Sequence, residues 1–323
     1  MELPSKVKNI VFVVEGGIGR NIAATAVVKS IKNVYPDKRI IVMAGCQEMF
    51  FYNPNVYKVF NFNNPLYFYD DYITDETYVI KSEPYLGYDY INKQSHMIQN
   101  WCDELGIENI CKVPDLYFLE NELEAAKIYV DNQTDIGKKE MVLLQWVGGM
   151  HPQDKTKQEL KSSIAKMFRR ALPVDTTQKL TDALIKKGYV VGVVGHENFP
   201  EIAGATKVFF PIRSTIALLQ YVKTFIGIDS FVQHAAAAST LNKKGIVCWG
   251  GTSPTCLGYD MHVNLTKTAC KQPFCHRPNS YLFDIQQHGA MWDCPYGEPC
   301  LKYTPEEILK VFEENFEEEV IKT

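Results

Sequence analysis

The sequence lacks any apolar run approaching the ~18–20 residues that a membrane helix needs, so a membrane-spanning function is not expected of its 323 residues. It lacks a leader-like opening: the one apolar run near the start, Ile10–Val14, reads as a buried strand. It lacks an excess of either charge sign. A net charge of −4, with charged residues at 22%, does not advertise a nucleic-acid partner. Internal repeats and low-complexity tracts are missing too. These absences predict a cytoplasmic protein, at most peripheral at the inner face of a membrane. In that setting the nine cysteines are expected as reduced thiols or metal ligands rather than disulfides.

What the chain does contain is an alternation of β-branched runs and amphipathic segments. Its length predicts about two domains of roughly 100–200 residues each. Lys8–Val14 reads as a strand buried on both faces. The turn Glu15-Gly16-Gly17-Ile18-Gly19 ends it, and Asn21–Val34 reads as a helix with Ile22, Ala26, Val27 and Ile31 on one face. Arg39–Ala44 follows as a strand, and such a βαβ unit implies a parallel sheet. Residues 50–90 are dense in aromatics, readable as core or as a stacking platform for a sugar or base. A polar stretch, 131–139, reads as a linker. Beyond it, strands are expected over Glu140–Trp146, Tyr189–Gly195, Lys207–Pro211, Thr224–Ile228 and Gly245–Trp249. Helices are expected over Thr177–Lys187, Ser214–Lys223, Val232–Ser239 and Glu306–Lys322. The expected fold class is therefore α/β: two facing Rossmann-like doubly wound domains, 1–135 and 140–323, with a C-terminal helix. Ligands of such sheets bind at the carboxyl ends of the strands.

Two loops at those ends carry the first candidates. Gly17 and Gly19 let the backbone approach a ligand closely, although GxGxxG is not satisfied because Ile22 stands where its last glycine would be. The segment Phe225–Ala237 is more specific. A buried strand delivers Asp229 and Ser230 to the cleft rim, a helix starts there, and His234 follows about one turn later. That arrangement suits a diphosphate; the plainer reading is that Asp229 and Ser230 only cap the helix.

The run FIGIDSFVQHAAAAS…KKGIVCWGGTSP resembles the signature IGxDSGxxHxAxA…GxTxP of the ADP-heptose:lipopolysaccharide heptosyltransferase family, glycosyltransferase family 9. Gly17-Ile18-Gly19-Arg20, with Tyr35-Pro36 downstream, resembles its opening GxGD and Tyr-Pro. The segments VVGHENFPEI, PIRSTIALLQYVK and CPYGEPCLKYTPEEI are similar to further parts of it. The resemblance implies a GT-B fold and inverting transfer from a nucleoside-diphosphate sugar, with no obligatory metal or other cofactor. On the matched positions it implies Gly17, Gly19, Arg213, Asp229, Ser230, His234 and Thr252 as the donor site. Two positions depart from the pattern. Arg20 replaces the acidic residue that would act as base, and an arginine cannot accept a proton near neutral pH. Glu15 and His151 are the substitutes expected within reach, with Arg20 gripping a phosphate. Phe231 replaces the glycine after Asp-Ser.

Residues 151–172 hold six basic residues against two acidic ones, and Leu160, Ile164, Met167 and Phe168 share a helical face. Lys161, Lys166, Arg169 and Arg170 of this basic amphipathic segment are the expected contacts for a polyanionic acceptor, a glycolipid or modified DNA. Cys270, Cys275, Cys294 and Cys300 cluster near the C-terminus and are candidates for a structural zinc, although their C-x4-C and C-x5-C spacings are loose for one. The expected function is sugar transfer to a hydroxyl of a bacterial glycan or lipopolysaccharide core. Two alternatives stand beside it: a phage-type transferase acting on hydroxymethylated DNA, and a sugar-nucleotide-binding protein without turnover.

Overall fold

A computed structural model of the chain describes residues 3–63, 65–148, 170–195, 199–267, 270, 273–275, 297 and 299–317. The first βαβ unit is β1 (Asn9–Val14), α1 (Ile18–Val34) and β2 (Arg39–Ala44), and β1 and β2 pair in parallel from Asn9↔Arg39 to Val14↔Ala44. β3 (Lys58–Asn61) and β4 (Thr77–Ile80) complete a parallel sheet of order β3-β2-β1-β4. Short helices α2 (Phe68–Tyr72) and α3 (Tyr88–Ile91) and the longer α4 (Met97–Leu105) fill the connections. α1 starts at Ile18 rather than Asn21, because extended Gly17 caps it and the buried Asn21 amide donates to the carbonyls of Gly16 and Gly17. The aromatics of 50–90 divide: Phe50, Phe60 and Phe68 are core, whereas Tyr52, Tyr57, Tyr67, Tyr69 and Tyr88 are exposed.

The second sheet holds β5 (Met141–Gln145), β6 (Val190–Val194), β7 (Thr206–Val208), β8 (Thr224–Ile228), β9 (Ile246–Cys248) and β10 (Val263–Leu265). All neighbours are parallel, in the order β10-β9-β8-β5-β6-β7. That is the doubly wound dinucleotide-type order, whose direction reverses between β5 and β8. The sheet is flanked by α5 (Glu120–Gln133), α6 (Val174–Lys186), α7 (Ile212–Ala217), α8 (Phe231–Ala236), α9 (Pro254–Leu257) and α10 (Pro305–Phe316). Thr304 and Glu307 form a capping box at the start of α10, and its Phe312 packs edge-on against Tyr189.

The expected linker at 131–139 is instead the end of α5 and a turn. α5 packs on α7, with Tyr129 against Phe210 and Gln133 accepting from Thr206, so the chain leaves the first sheet before α5 begins. The crossing segment is pinned to both sides. Buried Asp115 accepts from Ser239 and Tyr117 and lies 3.4 Å from Lys29 of α1. Arg213 of α7 clamps the same region. Its Nε and Nη2 donate to the two carboxylate oxygens of Glu122 at 2.7 and 2.6 Å, and the remaining N–H groups reach the carbonyls of Glu48 and Tyr117, both at 2.8 Å. Phe118 and Tyr52 cover its faces.

Removing the buried arginine leaves the half-buried Glu122 carboxylate and two carbonyls without their donor. Arg213→Ala is expected to lower the urea-unfolding free energy by about 3–5 kcal/mol. A loss below about 1 kcal/mol, the ordinary value of a surface pair, would show that the clamp carries little.

Candidate functional site

The two sheets bring their switch points together because α1 packs on α8. Gly19 lies on the His234 ring: a Cβ there would stand 2.7 Å from the ring's Cδ2. Ile22, Ala23 and Ala26 of α1 and Val232, Ala235 and Ala236 of α8 are all fully buried in one continuous hydrophobic cluster that spans both sheets. The carboxyl ends of β1 and β4 therefore face the carboxyl ends of β5, β8 and β9.

On the second side, β8 delivers Asp229, which is only 2% exposed. Arg170 reaches it, with Nη1 3.2 Å from Oδ2 and 3.1 Å from the backbone carbonyl. Expected at the acceptor face of a basic helix, Arg170 thus belongs to the Asp229 loop. Ser230 makes no side-chain cap bond, so capping does not account for it. Instead, the side chain of Gln145 accepts from the Val232 N–H inside the first turn of α8. Gly148 lies against Ser230: a Cβ on it would come within 2.6 Å of the Ser230 hydroxyl. Thr252, after β9, is 3% exposed, and its hydroxyl has no partner among the described residues.

His234 is committed to the protein. The Gln233 amide donates to the Leu257 carbonyl at 3.0 Å, which fixes its nitrogen towards His234 Nε2 at 3.1 Å. Nε2 therefore accepts, and Nδ1–H donates to the Tyr259 hydroxyl at 2.9 Å. Asp229 Oδ1 is 3.8 Å from Nε2, too far for a hydrogen bond. With both nitrogens occupied and Gly19 over the ring, the expected donor contact of His234 has no free atom to make it. Arg213 is likewise committed, its N–H groups spent on the clamp.

On the first side, Gly16 adopts φ +92°, which only glycine takes readily, while Gly17 faces open space. Glu15 pairs with Lys81 at 2.7 Å, and both are exposed. Arg20 points inward rather than at open solvent. Its Nη1 lies 2.8 and 3.0 Å from the carboxylate oxygens of Glu83, Nη2 donates to the Ser82 carbonyl, and Tyr85 and Trp101 cover its faces at 5.1 Å each. The phosphate-gripping role expected of Arg20 meets a guanidinium already held by a carboxylate. Tyr85 stands beside this pair. Burial pushes its hydroxyl up to about 12, Arg20 and Arg170 oppose the shift, and Asp229 and Glu83 add to it.

Sequence reasoning missed Glu83, Tyr85, Gly148 and Tyr259. Each acts across the fold, and no local spacing marks it. His151, Lys161, Lys166 and Arg169 lie outside the described residues, as does Cys294. Cys270 and Cys300 are buried and Cys275 half-buried, and no group of three or more metal-ligating side chains occurs among the described residues.

Among solved structures the chain is similar to a family 9 glycosyl transferase from Veillonella parvula, with 13% identity, TM-score 0.64, and coverage of 97% of this chain and 98% of that one. It is similar to ADP-heptose lipopolysaccharide heptosyltransferase II of Escherichia coli, with 14% identity, TM-score 0.63, and coverage of 95% and 98%. The dodecameric iron-containing heptosyltransferase TibC in complex with ADP-D-beta-D-heptose gives 13% identity, TM-score 0.64, and coverage of 96% and 76%. The chain has the GT-B fold of these glycosyltransferases. No family model and no curated protein sequence matches it. No described helix is long and apolar enough to cross a membrane.

Burial also sets a pH limit on this seam. It pushes His234 and His262 from 6.5 down to about 4, against the raising influence of Asp229 on the first and of the Gln233 carbonyl on the second. Between those values the unfolded chain takes up protons that the folded chain refuses, so stability falls as pH drops. The loss is on the order of 1 kcal/mol per histidine per pH unit below 6.5. The urea midpoint is expected to drop between pH 7.5 and 5 and to recover in part in His262→Gln; a flat profile would contradict the assignment.

Proposed function

We propose that this chain is a glycosyltransferase that moves a sugar from a nucleoside-diphosphate sugar to a hydroxyl acceptor, with inversion. The observation that carries the reading is the cluster of Asp229, Ser230 and Gly148 at the β5/β8 switch point, where this sheet order binds nucleotides, with the buried Thr252, its hydroxyl without a partner among the described residues, on the loop after neighbouring β9. Each member has a chemical use there. Gly148 and Gly17 admit a ligand against the backbone. The Ser230 and Thr252 hydroxyls supply donors for the departing diphosphate, and Arg170 supplies positive charge beside it. Asp229 accepts from sugar hydroxyls. The fold likeness supports the reading, since the similar TibC structure holds an ADP-sugar and another similar structure, Escherichia coli heptosyltransferase WaaC with TM-score 0.57, holds ADP. The acceptor side is the first sheet, and a bacterial glycan or lipopolysaccharide core is the acceptor class the family resemblance favours.

Thermal stabilisation by ADP, UDP, GDP and CDP, each with its sugar, tests the donor site. One nucleoside diphosphate is expected to raise the melting temperature, and Asp229→Asn to weaken its sugar by at least about tenfold, roughly 1.4 kcal/mol. Unchanged affinity in that variant, folded by circular dichroism, would move the donor elsewhere. Tight donor binding without any turnover would leave a sugar-nucleotide-binding protein.

A further inference from the structure

Inverting transfer needs a group to take the proton of the acceptor hydroxyl. Arg20 cannot do it. Two carboxylates stand at the switch point of the first sheet: Glu15 at the end of β1 and Glu83 beyond β4. We propose that Glu83 is the general base, held in place by Arg20; this rests on the glycosyl-transfer reading.

Preorganisation separates the two. Glu15 has a 52% exposed side chain and is paired with an exposed lysine, so its carboxylate is free to wander. Glu83 is held by two groups, one of them itself fixed. Arg20, with a side chain only 7% exposed, grips both oxygens. The Tyr85 N–H donates to Oε1 at 3.3 Å. Arg20 itself is locked between Tyr85 and Trp101, and the Trp101 indole N–H donates to Ser82, the residue before Glu83. Despite this, 36% of the Glu83 side chain remains accessible. A carboxylate that is both fixed and reachable is what proton abstraction requires. Arg20, which holds Glu83, directly follows Gly19, and Gly19 lies on the His234 ring, so the pair stands beside the seam between α1 and α8. Behind the pair stands Glu104, held by Asn100, its carboxyl raised by burial and further by the charge of Glu83.

In the step, the acceptor oxygen bonds to the anomeric carbon, and the bond from that carbon to the phosphate oxygen breaks. The electron pair leaves with the nucleoside diphosphate, and the acceptor proton passes to a Glu83 oxygen and then to solvent. The proton moves as the new C–O bond forms, when the acceptor oxygen is oxonium-like and far more acidic than a free alcohol.

The test uses the full chain with water as acceptor, following release of nucleoside diphosphate from ADP-, UDP-, GDP- and CDP-sugars. Glu83→Gln is expected to lower kcat by about 10²–10⁴-fold while donor Kd stays within about twofold, and to remove the acid limb of the pH profile. Glu83→Asp is expected to recover part of the rate. Because Glu83→Gln strands a buried arginine, the double variant Arg20→Met/Glu83→Gln is read beside it, with donor binding as the check on folding. Turnover within about fivefold of wild type in either variant overturns the proposal, as does loss of turnover in Glu15→Gln with Glu83→Gln still active. If wild type binds donors yet releases nothing from any, the glycosyl-transfer reading itself fails and takes the proposal with it.

Discussion

Helix α1 rests on the His234 ring because residue 19 has no side chain, and the geometry of the cleft follows from that contact. A methyl group at 2.7 Å would push the helices apart, since the ring is pinned by Gln233 and Tyr259 and cannot yield. The small residues that continue the seam, Ala23 and Ala26 against Ala235 and Ala236, let two helix backbones approach where larger side chains would hold them off. The result is one apolar core running through both sheets. The Arg213 clamp and the Asp115 node then fix the crossing segment at the edge of that core. Carboxyl-end loops of two separate sheets come to share one cleft without any loop having to be long.

Two ion pairs line that cleft, Arg20–Glu83 on one side and Arg170–Asp229 on the other. Each pair has one buried member, Arg20 and Asp229, and taking such a charge out of water is costly unless geometry and extra hydrogen bonds are good. Both pairs meet that condition through backbone carbonyls, Ser82 for Arg20 and Asp229 itself for Arg170. Tyr85 covers one face of the Arg20 guanidinium at 5.1 Å, and burial pushes its hydroxyl up to about 12. Buried pairs of this kind are weak evidence for stability alone. Both stand at switch points, the places where sheets of this type bind their ligands.

The parts of the fold legible in the sequence are those encoded locally. Thr224–Ile228 is a strand because five apolar or β-branched residues lie between a lysine and an aspartate, and the position of Asp229 follows from its end. The same locality exposes Gly16 and Gly17. What could not be read is pairing at distance. Arg20 finds Glu83 63 residues away, and His234 finds Tyr259 25 residues away. Spacing put His234 about one turn past Asp229 but could not show its nitrogens already bound. Polarity at 131–139 suggested a linker, yet Ala126 and Val130 on the preceding helix are buried, and their face decides which sheet α5 joins. Arg170 closes a basic stretch by composition, but a buried carboxylate outweighs membership of that face.

The arginine at position 20 has a structural corollary. In the family pattern that the chain resembles, this position is acidic. A carboxylate here would lie beside Glu83 with no cation between them, and two like charges in a half-buried site cannot both stay ionised without cost. A guanidinium here with a neutral residue at 83 would be as bad, a buried cation facing only carbonyls and π faces. Positions 20 and 83 are therefore coupled, and the aromatic faces of Tyr85 and Trp101 favour a planar guanidinium over an ammonium as the cation between them. The switch point of the first sheet carries a held carboxylate, Glu83. Where the resembled pattern has an acidic residue near the start of α1, this chain has Arg20, and Arg20 holds the carboxylate of Glu83 beyond β4.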